Sequence, residues 1–75
     1  MTIEEKIINI MEESFDTENI NENSTNENTE NWGSINFLIL IVNLEKEFKI
    51  SFEPEELVDL NSFLKIKSVI NAKLD

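Results

Sequence analysis

The chain has 75 residues, no cysteine and no histidine, and 16 acidic against 6 basic side chains, for a formal net charge of −10. Without cysteine or histidine no disulfide braces the fold, no Ser-His or Cys-His nucleophile pair can form, and zinc would have carboxylates alone as ligands. Such a composition speaks against an autonomous enzyme and for a reducing compartment. The charge repels phosphate backbones and anionic lipid, which speaks against nucleic-acid and membrane partners. It suits basic protein surfaces, or simply keeps the chain soluble.

A chain of this length folds as one domain, residues 1–75, with a thin core, since so small a domain buries only about 60% of its unfolded surface. The segment Thr2 to Phe15 carries Ile3, Ile7, Ile10, Met11, Ser14 and Phe15 at the spacing of one helical face. Thr2 followed three residues later by Glu5 is a capping-box pattern, and Glu4 and Glu5 suit the positive end of the helix dipole. From Asp16 to Asn31 periodicity stops, and Asn, Glu, Thr and Ser dominate. This predicts a long surface loop that Ile20, its only aliphatic residue, can pin to the core. The loop is no EF-hand: counting from Asp16, Ile20 falls where a ligand belongs and no glycine makes the sharp turn.

A second helix is predicted from about Ser34 to Phe48. Pro54, Glu55 and Glu56 fit the first turn of a short third helix. A last helix opens with Asn61 or Ser62 as cap and carries Phe63, Ile66, Ile70 and Leu74 on one face. No segment alternates like a strand. The fold class predicted is all-α: a bundle of three longer helices and one short one, with a long loop between the first two. The longest apolar run, Phe37 to Val42, is too short to span a bilayer. The N-terminus lacks the basic start and apolar centre of a signal peptide, and the expectation is a cytoplasmic soluble protein.

The second helix has two apolar faces. At about 100° per residue, Phe37, Leu40, Ile41, Leu44 and Phe48 form one stripe, and Ile35, Leu38, Ile39 and Val42 form another. A surface helix needs only one. Either the second stripe is core, packed between the first and last helices, or it meets a partner or ligand beside Ser34. In the second case Ile39 and Val42 are partly exposed while Leu40, Leu44 and Phe48 are buried. Ser34 itself, at the start of this helix, can serve as a simple N-cap. It can also carry a phosphodiester, favoured by the unpaired N–H groups and dipole of a helix N-terminus.

The stretch "WGSINFLILIVNLEKEFKISFEPEELVDLNSFLKIKSVI" resembles the second half of an acyl carrier protein. Ser34-Ile35 stands where that family has Ser-Leu, and Leu40, Leu44, Glu45, Phe48 and Ile50 fall at the family's spacing without a gap. Asn61-Ser62-Phe63 matches the cap of its last helix, and "TIEEKIINIMEE" resembles its first helix. The likeness covers the chain outside the loop, and no single motif in it is specific. It implies a four-helix bundle whose Ser34 receives 4'-phosphopantetheine from coenzyme A, through a separate magnesium-dependent phosphopantetheinyl transferase. The arm's thiol then holds an acyl or aminoacyl group as a thioester for presentation to partner enzymes. No catalytic residue and no resident metal are implied.

Gly33 is the departure, because most members carry Asp there, and Asn36 also stands where an acid is common. The resemblance assigns docking of basic partner surfaces to Gly33, Ile35, Leu38, Val42, Glu45, Glu53, Glu55 and Glu56, with Glu47 and Asp59 as further acids and Lys46 interrupting them. Trp32 either packs the loop on the bundle or anchors partners. The weakly acidic second helix is more like free-standing carriers of specialised polyketide, aminoacyl or envelope-modification pathways than those of primary fatty acid synthesis, and a monomer is expected. The competing readings are an unmodified acidic interaction module with the same bundle, which Gly33 favours, and an acidic mimic of nucleic acid, which rests on charge alone.

Overall fold

Helix starts follow the capping chemistry. The Glu5 N–H donates to Thr2 Oγ1 (3.1 Å) and the Thr2 N–H donates to Glu5 Oε1 (3.0 Å), closing a capping box at the head of α1 (Ile3–Phe15). Pro54 opens α3 (Pro54–Leu57), and the Ser62 hydroxyl accepts from the Lys65 N–H (3.2 Å) at the head of α4 (Phe63–Leu74). Between them lies α2 (Ser34–Phe48). The computed structural model describes residues 1–74, and among these it is all-helical, with no strand.

Two helix ends carry no glycine. Asp16 and Lys49 each close a helix in the left-handed region, at φ 49° and 56°. The Lys49 N–H donates to the Glu45 carbonyl, which satisfies one of the orphan acceptors of that end.

The core is one connected cluster of Ile7, Met11 and Phe15 from α1, Leu40, Ile41 and Leu44 from α2, and Phe63, Ile66 and Ile70 from α4, joined by Ile20 and Leu60. The helix packed against both α2 and α4 is α1. Ile20 is buried and pins the loop, as its isolation there predicts. The loop is also sewn to the head of α4: the Phe63 N–H donates to the Ser24 carbonyl and the Asn26 N–H to the Asn61 carbonyl, both at 2.9 Å. Side-chain to main-chain bonds from Asn21, Ser24, Thr25 and Asn28 build tight turns within it, a usual role for these residues. Two residues depart from their predicted faces: Ile3 and Leu74 are exposed, because they sit in terminal turns beyond the buried rows of α1 and α4.

A polar pair joins α1 to α2, Asn43 Nδ2 donating to Ser14 Oγ at 3.1 Å. Because Ser14 is buried, breaking this bond would strand a polar group, and the pair disfavours other registers of the two helices. The short helix α3 has no buried residue of its own. It is held by Glu56, whose Oε1 accepts from the Glu53 N–H (2.6 Å) and lies 2.9 Å from Lys73 Nζ on α4. The Lys73 ammonium also lies 5.8 Å from the centre of the Phe52 ring.

The Glu53 N–H and then the Lys73 ammonium hold the Glu56 carboxyl below its ordinary value of 4.5. A carboxyl depressed in the folded state stabilises above its unfolded value, and that contribution is lost as pH falls through the folded value. Below about pH 5, as pH falls through the folded value, thermal denaturation is therefore expected to show a steeper loss of Tm for the wild type than for Glu56→Gln. Equal slopes would show that this contact contributes nothing to the pH dependence.

Candidate functional site

At the head of α2 the N-cap is Gly33, in extended backbone at φ −107° and ψ 176°, with no side chain to cap the helix. Ser34 is thus the first helical residue and not the cap. Its side chain is exposed, and its hydroxyl has no partner among the described residues. The first helical bond runs from the Phe37 N–H to the Gly33 carbonyl (2.8 Å), which leaves the N–H groups of Ser34, Ile35 and Asn36 without a protein acceptor among the described residues. The first turn contains no acid to offset the dipole. A hydroxyl in this place is accessible, and a phosphate joined to it would meet open donors and the positive end of a 15-residue helix.

Behind this turn, Trp32 is half-buried. Its ring centre lies 4.9 Å from that of Phe15 and 6.4 Å from that of Phe37. Trp32 therefore packs the end of the loop onto both helices. A Cβ built at Gly33 would have no atom within 4 Å, so any side chain fits there.

The two stripes of α2 separate cleanly. Leu40 and Leu44 are fully buried, whereas Ile35 is 75% exposed, Leu38 57%, Ile39 45% and Val42 48%. Phe48, expected to be buried, is only half-buried, being the last residue of the helix. Because α1 takes the central place, α2 is covered on one face only. The four exposed side chains and Asn43 line a shallow trough of about 320 Å³ that begins beside Ser34. A larger hollow of about 880 Å³ under the loop is polar, bordered by Glu12, Asp16, Glu18, Glu30 and loop amides. No group of three or more metal-ligating side chains capable of holding an ion occurs among the described residues.

The acids assigned to partner docking divide in two. Glu53 and Glu55 are exposed, as is Asp59. Glu45 and Glu56 have work within the chain: Glu45 Oε2 accepts from the Phe52 N–H (2.8 Å), folding the following segment back on α2, and Glu56 holds α3 as described. Glu47 lies 3.6 Å from Lys6, an exposed pair of small energetic weight. Gly33, Ile35, Leu38 and Val42 are brought together along the outer side of α2, whereas Glu53 and Glu55 lie on α3 and its approach. Sequence reasoning missed Asn31 and Asn43, which are single asparagines in an Asn-rich chain. For Asn31 the one local signal was the readiness of Asn to adopt positive φ beside a helix end, and for Asn43, in the middle of α2, there was none.

Compared with known proteins, the chain matches no family model and no curated relative. No described helix is long and apolar enough to cross a membrane.

Leu44→Ala is expected to cost about 2–5 kcal/mol in denaturant unfolding, since the side chain is wholly buried. Val42→Gln is expected to change stability by no more than about 0.5 kcal/mol, as for an ordinary surface site. Equal losses from the two would mean that the outer stripe is also core.

Proposed function

We propose that the protein is a carrier that receives 4'-phosphopantetheine on Ser34 and presents acyl or aminoacyl groups to partner enzymes. The observation that supports this most is the exposed, unbonded Ser34 hydroxyl at an uncapped helix N-terminus, at the head of an exposed apolar strip. In the attachment, Ser34 Oγ forms a bond to the phosphorus of coenzyme A that bears the pantetheine. The bond from that phosphorus to the bridging oxygen breaks, adenosine 3',5'-bisphosphate leaves, and the hydroxyl proton passes to a base of the transferase. Once attached, the arm supplies a terminal thiol that holds cargo as a thioester.

The residues of the chain do the rest. The open N–H groups of Ser34, Ile35 and Asn36 favour the phosphodiester. Ile35, Leu38 and Val42 offer apolar contact to an enzyme that grips α2, while Glu53, Glu55 and Asp59 steer its basic surface. Such charges act mainly on encounter rate and orientation, and desolvated apolar contacts on affinity. A monomer in the cytoplasm goes with this reading. The other reading, an unmodified interaction module, is favoured by Gly33, where most carriers of the family the sequence resembles have Asp.

Intact mass measured after incubation with coenzyme A, magnesium and a broad-specificity phosphopantetheinyl transferase separates the two. The expected result is one added phosphopantetheine, mapped to Ser34 and abolished in Ser34→Ala. An unchanged mass, or a label on Ser14, Ser24, Ser51, Ser62 or Ser68, would refute the carrier reading.

Gly33→Asp is expected to raise the initial rate of this modification. It should leave stability within a few tenths of a kcal/mol, since the position is open and Gly and Asp differ little as caps. A rate at or below that of the wild type would show that the missing acid is not limiting.

A further inference from the structure

Four hydrogen bonds converge on Asn31, three residues ahead of Ser34. Its backbone turns through φ 65°, a conformation that Asn adopts at lower cost than most residues. Its side-chain Nδ2 donates to the Phe15 carbonyl at 2.8 Å and, at the long distance of 3.5 Å, to that of Asp16. Both partners are acceptors only, so the amide must present its NH₂ group there. The Phe15 carbonyl belongs to the last turn of α1, where carbonyls lack helical partners. The Asn31 carbonyl in turn accepts from the Gly33 N–H (2.9 Å) and from Asn36 Nδ2 (3.0 Å). One residue therefore ties the end of α1 to both sides of Ser34. Trp32 adds ring contact to the same two helices.

The geometry points to Asn31, assisted by Asn36, as the positioning residue of the attachment site. This rests on the carrier reading of Ser34. The Ser34 hydroxyl has no bond of its own among the described residues, so its place is set by the backbone from Gly33 to Asn36 alone. A transferase has to align that oxygen with the phosphorus of coenzyme A, and a displacement of about 1 Å at a reacting atom can cost roughly 100-fold in rate. Asn31 and Asn36 hold this backbone without touching the reacting atoms, and without them the first turn of α2 is free to fray.

The test compares the full chain with Asn31→Gly, Asn31→Asp and Asn36→Ala. Asn31→Gly keeps the positive φ and loses the side chain, whereas Asn31→Asp keeps shape and loses the donor. Ile66→Val, a core change in α4, controls for lost stability. Initial rates of phosphopantetheine transfer are read by intact mass at a temperature where every variant is folded. Amide hydrogen exchange is followed in the unmodified proteins.

All three asparagine variants are expected to lower kcat/KM by roughly tenfold or more, with a fall in kcat, as orientation effects do. Ile66→Val should match the wild type. Exchange at Gly33 should quicken in the same three variants, with Leu40 and Leu44 unaffected. Three outcomes overturn the positioning role: rates equal to wild type, a slow Asn31→Asp beside a normal Asn31→Gly (a charge effect), or slowing that tracks Tm, Ile66→Val included. A wild type that is itself not modified refutes the carrier reading and this role with it. A modified wild type with unaffected variants refutes this role alone.

Discussion

The packing of α1 at the centre of the bundle is the constraint on which the rest depends. Ile7, Met11 and Phe15 are fully buried, and their helix packs against both α2 and α4. With the centre taken, α2 has an apolar partner on one side only. The Asn43–Ser14 hydrogen bond makes this arrangement specific, because a rotation or shift of α2 would leave buried Ser14 unpaired. The exposed strip from Ile35 to Val42 is therefore a consequence of how the bundle is centred.

That strip is costly in a chain this small, where total stability is only about 5–15 kcal/mol and apolar surface is the main driving force. An apolar trough left open on the outside of a helix calls for a use. It starts beside a serine whose hydroxyl and neighbouring N–H groups are open among the described residues. The negative charge of the rest of the chain surrounds a site that itself has no acid in the first turn of α2. The head of α4 shares this lack of acid in its first turn.

Local pattern made much of this legible. The starts of α1 and α3, the cap of α4, the pinning role of Ile20 and both stripes of α2 follow from spacing and cap chemistry, because these depend on residues within a turn or two of one another. The start of α2 at Ser34 was legible for the same reason, standing where an apolar repeat begins. Asn31 was not, since its importance comes from a bond to a carbonyl 16 residues earlier, across the loop. Glu45 and Glu56 read as surface acids for a partner, yet Glu45 caps a main-chain N–H seven residues on and Glu56 meets Lys73 on α4. Pairings across a fold leave no local trace.

By itself the sequence determined the helical class, the bounds of α2 from Ser34 to Phe48 and the existence of two apolar faces, because helical periodicity and capping are short-range physics. It left open whether the second face would be buried as well, and by what. Tertiary structure decided that by giving the central position to α1, so that Leu40 and Leu44 enter the core while Ile35, Leu38, Ile39 and Val42 stay outside. The reason is physical: a helix wheel ranks faces by composition, but burial is settled only when neighbouring helices compete for the same space.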